Sequence, residues 1–276
     1  MVPSNMVAMV WAELQTVFRR GSGLAALGVS LLLGLAVVAL MGWVQQNAGG
    51  AEVNGAPIGE MVRYTGADCA GWALSARNFF VLPLLLLLAT GGSVAGELQD
   101  RSLREVLIRP VPRWSVLAAK LIALLALSAA TLLLSLLPSL LLGTVLYGAD
   151  GPTVDVLLGY AASLGTDLGI IAFGFVASTV VHSVGGVVVS VILLLMLDAG
   201  ARLLLWVREL LLGLMQQSVG AEVEPIRYSR FLPGAALDCW KGWTEGWTWE
   251  PFAGLVVLIT VSLAVAVFRF QRMDVS

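Results

Sequence analysis

The chain has 276 residues, 58% of them hydrophobic and 12% charged, and carries a net charge of −2 at pH 7. Soluble domains hold roughly a quarter charged residues, so this composition excludes an ordinary soluble globule and defines a polytopic membrane protein. A near-neutral charge without a long basic run also excludes nucleic acid as a partner.

Taken in chain order, the first element is amphipathic. Val7, Val10, Trp11, Leu14, Val17 and Phe18 recur at helical i, i+3, i+4, i+7 spacing, and Arg19 and Arg20 close the pattern. A helix over 3–20 built this way is expected to lie in the membrane interface. The alternative is that it forms the first turns of span one, but Gly21 and Gly23 favour a break.

A bilayer core requires roughly 20 mostly apolar residues per spanning helix. Six stretches meet this, at about 24–44, 79–95, 118–146, 156–181, 184–206 and 252–268. The first shows no small-residue cleavage site and reads as a retained span. Asp198 and Arg202 interrupt the fifth, so five and seven spans stand as neighbouring readings. Residues 45–72 read as a modest outer loop, and spans four and five as a tight hairpin around His182.

With six spans, nine Lys and Arg residues fall on one side and seven on the other. Several of the seven lie in the long loop 207–251, which escapes the positive-inside rule, so both termini are expected in the cytoplasm. Tryptophan agrees, because Trp43, Trp72 and Trp206 fall at outer span ends and none falls mid-span. The 207–251 loop contains too many leucines for a polar connector, and short re-entrant helices packed on protein are expected before span six.

Between spans two and three stands GELQDRSLREVLIRPVPRW, Gly96 to Trp114. Glu97 with Arg101, Asp100 with Arg104 and Glu105 with Arg109 are spaced i, i+4 in the favourable acid-before-base order, each pair stabilising a helix by roughly 0.2–0.5 kcal/mol. Leu103, Val106 and Leu107 form a short apolar stripe, and Pro110 and Pro112 stop the helix. Such a cytoplasmic helix over 96–113 suits a partner's groove. The plainer reading is a solvated connector whose stripe packs on the membrane surface.

The run from Gly96 through Lys120 resembles the segment after the second span of ABC-2-type transporter permeases, on Gly96, Glu97, Ser102, Leu103, Leu107, Pro110, Arg113 and Lys120. Arg101 and Ser102 stand where the family usually shows Gly-Thr. The LPGAALD stretch and the ending FRFQRMDV are similar as well. The resemblance implies an all-α permease subunit of an ABC exporter in a prokaryotic inner membrane, paired with a second permease copy or paralogue. It also implies that Gly96, Glu97, Arg101, Leu103, Arg104, Glu105, Leu107, Arg109, Pro110 and Arg113 couple to a cytoplasmic ABC ATPase subunit that uses ATP and Mg. A P-loop needs Lys in a Gly-rich turn, and Lys120 and Lys241, the only lysines, lie in no such context.

Asp167 falls near the middle of span four, where an ionisable side chain is costly and marks either a pathway or a bond to a neighbouring helix. Gly165 and Gly169 beside it suggest close helix packing. Asp198 and Arg202 are four apart and suited to neutralise each other. Cys69 and Cys239 both fall in outer loops, which leaves a disulfide open. No metal-ligand or Ser/His/Asp arrangement is expected around a single histidine, so the chain is not expected to be an enzyme. Two other classes remain: an ATPase-coupled chain acting on an extracytoplasmic partner without a conduit, and a secondary transporter, against which stands the scarcity of intramembrane ionisable residues.

Overall fold

The computed structural model describes residues 3–48, 52–53, 56–57, 64–79, 81–100, 112–219 and 232–272. The chain opens with α1 (Pro3–Arg19), bends at Arg20 and continues as α2 (Gly21–Ala48). A Cβ at Gly23 would collide with the Val17 carbonyl, so the bend depends on that glycine. The amphipathic stripe of α1 divides: Val17 is buried, with Leu14 and Phe18 packed beside it, whereas Val7 and Trp11 stand exposed.

A two-residue antiparallel pair, Glu52–Val53 with Ala56–Pro57, precedes α3 (Gly66–Phe79) and α4 (Val81–Gln99). The part of the expected outer loop from Gly66 to Trp72 is therefore helical. Its reason is a stripe of small residues, Gly66, Ala70 and Ala73, that lets α3 pack tightly against α5 (Arg113–Tyr147). Within α4, Gly92–Gly96 forms a π-helical turn, which turns Glu97 to the position described below.

After α5 come α6 (Thr153–Ser178) and α7 (Val184–Val219), joined by a turn in which His182 is exposed. The first part of the expected 207–251 loop, residues 207–219, is instead the continuation of α7, a Leu-rich stretch without proline. Short helices α8 (Pro233–Leu237) and α9 (Gly242–Glu245) flank a 3-10 turn, Cys239–Lys241, and α10 (Glu250–Arg272) closes the described chain.

Among the described residues six helices, α2, α4, α5, α6, α7 and α10, are long and apolar enough to cross a membrane. Arg113 Nη1 donates to the Gln271 carbonyl at 3.0 Å, and Val17 shares an apolar cluster with Phe270, so both described termini lie at one end of the bundle, here the terminal end. A second cluster, around Leu74, Tyr160, Leu237 and Trp240, lies toward the distal end. Outward faces are as apolar as the interior, with Leu32, Leu204 and Val257 exposed, as lipid contact requires.

Candidate functional site

Three charged clusters tie the helices together. The first is enclosed between α3, α5 and α6. Arg77 Nη2 lies 2.7 Å from Asp167 Oδ2, with the two side chains 0% and 2% exposed. Ser128 Oγ donates to the same carboxylate oxygen at 2.5 Å, and Arg77 also donates to Thr131 Oγ1 at 2.9 Å and Asn78 Oδ1 at 2.7 Å. Asn78 in turn donates to Ser163 Oγ at 2.7 Å. Two buried charges persist in such a site because they are paired and hydrogen-bonded, although Arg77 Nε has no partner among the described residues. Asp167 is thus bonded to a neighbouring helix, while Gly165 and Gly169 meet Leu255 of α10, and Gly169 also Leu237 of α8.

The second cluster fastens the 232–246 segment to α7. Asp198 Oδ1 accepts from the Gly234 amide at 3.1 Å, and Arg202 Nη1 reaches Asp238 Oδ2 at 2.6 Å. Arg202 Nε lies 2.9 Å from Asp198 Oδ2, an ion pair in which the N–H is not aimed at the oxygen. Asp198 and Arg202 thus lie at ion-pair distance, and the contact extends to Asp238, which Lys241 also pairs at 3.1 Å. Thr166 Oγ1, midway along α6, donates to the Leu237 carbonyl at 3.1 Å. The 232–246 segment thus descends beside α6 to the level of Asp167.

Cys69 and Cys239 are free thiols, so the disulfide left open by the sequence is not formed. Cys69 packs with Val37 and Met41 of α2, whereas Cys239 lies 3.4 Å from Thr166 Oγ1, in a different cluster. Cys239 is 4% exposed, and packing shields its thiol from reagents in solution.

The third cluster lies at the terminal end. Lys120, 1% exposed at the head of α5, is held 2.8 Å from Glu13 Oε1 and 2.7 Å from Glu97 Oε2. Glu97 Oε1 also pairs with Arg20 at 3.0 Å. One carboxylate therefore joins the α1–α2 bend, the end of α4 and the start of α5. Of the expected coupling residues, Gly96 sits in the π turn, Glu97 in this cluster and Arg113 at the α10 terminus. Arg101, Leu103, Arg104, Glu105, Leu107, Arg109 and Pro110 lie outside the described residues.

Arg77 and Glu13 carry these clusters as much as any residue singled out from the sequence. Arg77 stands at the end of the Gly66, Ala70, Ala73 stripe, a pattern that would have placed it on the packed face of a helix. Nothing local marks Glu13, whose partner is 107 positions away.

Long apolar helices tied together by buried ion pairs define a polytopic membrane protein. Residues 7–275 match the description "ABC-2 family transporter protein", and the chain belongs to that family. No curated protein matches it.

Proposed function

We propose that this chain is the permease subunit of an ATP-driven exporter, working with a separate cytoplasmic ATPase and a second permease copy or paralogue in a prokaryotic inner membrane. The terminal end faces the cytoplasm, residues 101–111 dock the ATPase, and ATP and Mg act in that partner. The observation that supports this most is the Glu13–Lys120–Glu97–Arg20 cluster. A surface helix transmits force to spans only if its root is rigid, and Glu97 stands four positions before residue 101 with its carboxylate held by two cations. The π turn immediately before it, with Ser93, Val94 and Ala95 buried, sets the direction in which that root leaves α4.

The test is purification of the chain from native membranes in mild detergent, with identification of the co-purifying protein and an ATPase assay. An ATPase subunit should remain bound, and Arg104→Glu combined with Leu107→Asp should abolish stimulation of hydrolysis while membrane insertion stays intact. Normal stimulation in that variant would sink the docking assignment.

One observation favours a second reading, coupling to an extracytoplasmic partner without a conduit. Helix α7 has 36 residues and is about 54 Å long, well beyond a hydrocarbon core of about 30 Å, so its distal part forms a post for such a partner. ATPase stimulation by an added outer protein, without any transported solute, distinguishes this reading from export.

A further inference from the structure

A cavity of about 230 Å3 opens between α4, α6 and α7 beneath the 232–246 segment. Its walls are hydrocarbon: Pro83, Leu84 and Leu87 on one side, Ile170 and Ile192 on the others, and Leu237 above. Its polar groups come from two of the charged clusters, Asn78 and Asp167 from the first and Arg202 and Asp238 from the second. Phe79 and Met196 also line it, and both are exposed, 88% and 58%, on the outward face of the bundle. The mouth therefore opens sideways onto apolar surroundings, and an occupant arrives from the bilayer.

Charge and hydrogen-bond capacity narrow the class of occupant. Arg77 is balanced by Asp167, while Asp198 and Asp238 are balanced by Arg202 and Lys241. A charged headgroup would find no uncommitted counter-ion in these clusters and would bear the full cost of leaving water. Open capacity of both kinds remains, which a hydroxyl can use as donor and acceptor: Arg77 Nε and Arg202 Nε have no hydrogen-bond acceptor among the described residues. Asp167 Oδ1 has one partner among the described residues, Arg77 Nη1 at the long distance of 3.5 Å, and Thr166 already donates to the Leu237 carbonyl. The volume is below the roughly 300–1,000 Å3 of drug-sized pockets, which suits one headgroup or chain segment rather than a bulky solute. We propose that this cavity is a binding site for a neutral, hydroxyl-bearing, single-chain amphipath of the monoacylglycerol type, taken from the membrane. The hydroxyl donates toward Asp167, and the chain lies along Leu84, Leu87 and Ile192.

The test uses the full chain in phosphatidylcholine nanodiscs without nucleotide, so that it stands or falls separately from the ATPase reading. The probe is a 1-monoacylglycerol carrying a diazirine on the glycerol-proximal part of its chain. Labelling should concentrate on peptides containing Phe79, Leu195 and Met196, and unlabelled 1-monoolein should compete. Methyl oleate, which lacks the hydroxyls, should compete about tenfold less well, the factor expected for one lost buried hydrogen bond. Met196→Trp, at an exposed rim position, should reduce labelling about tenfold by filling the mouth; Ala199→Phe repeats the test if that variant fails to fold. Labelling spread evenly over α2 and α10, or unchanged in the filled variant, would overturn the site. Equal competition by methyl oleate, or stronger competition by oleate or a long-chain amine, would overturn the neutral hydroxyl assignment.

Discussion

Arg77 and Asp167, 90 positions apart in the chain, close an ion pair of 2.7 Å between α3 and α6 with almost no exposure of either side chain. Ser128 and Thr131 bring α5 into the same contact. A pair so placed is weak evidence of net stability, because desolvation offsets much of the attraction. Its effect is on arrangement: three helices are held in one register, and any other register leaves a charge buried alone.

Removing one partner should therefore cost far more than removing both. Arg77→Met and Asp167→Leu are each expected to destabilise the detergent-solubilised protein by about 3–5 kcal/mol, and the double variant by much less than the sum. Thermal unfolding followed by tryptophan fluorescence measures this. Additive losses would show that the two charges are not coupled.

The sequence reveals one half of each cluster more readily than the other. Asp167 stands out because hydropathy around it is high, whereas Arg77 follows a stretch with Asp68 and few large apolar residues and falls between the expected outer loop and span two. Hydropathy measures transfer to lipid, but α3 is set by close packing of small residues, which that measure does not weigh. Asp198 and Arg202 are legible because their spacing is local; Asp238 is not, since its link to Arg202 spans 36 positions. The same distinction explains the cysteines. Composition and side place both thiols in reach of oxidation, but only packing shows them in separate clusters.

At the terminal end, partner number ranks the acids. Glu97 holds both Lys120 and Arg20, whereas Glu13 holds Lys120. Glu97→Gln is expected to lower stability by about 2–4 kcal/mol and Glu13→Gln by about 1–2, because a neutral amide in place of a charged acceptor loses about 1–2 kcal/mol per bond. The same order is expected for loss of ATPase stimulation. Equal effects in both assays would remove Glu97 from its central position.

Separate clusters for Cys69 and Cys239 predict two thiols per chain. Denaturing the protein directly into iodoacetamide without reductant should add two alkyl groups by intact mass, and prior treatment of the folded protein with a mild oxidant should not join the two residues. A mass two hydrogens lower, with no alkylation, would place them in contact after all.

The link between α7 and the 232–246 segment has one position without slack. Gly234 donates its amide to Asp198 Oδ1, and a Cβ there would collide with the Asp198 carboxylate and the Arg202 guanidinium. Gly234→Ala must push the segment away from α7 or part the ion pair, and either movement loosens the turn that holds Cys239. That thiol is 4% exposed, while Cys69 is 0% exposed in a cluster with α2 that the substitution does not touch. Maleimide labelling of the protein in nanodiscs should therefore rise about tenfold at Cys239, a change of roughly 1.4 kcal/mol in the opening equilibrium, with Cys69 unchanged as the internal control. Unchanged labelling at Cys239 would show that apolar packing of Ala236 and Leu237, rather than the Asp198–Arg202–Asp238 contacts, fixes the segment at the level of Asp167.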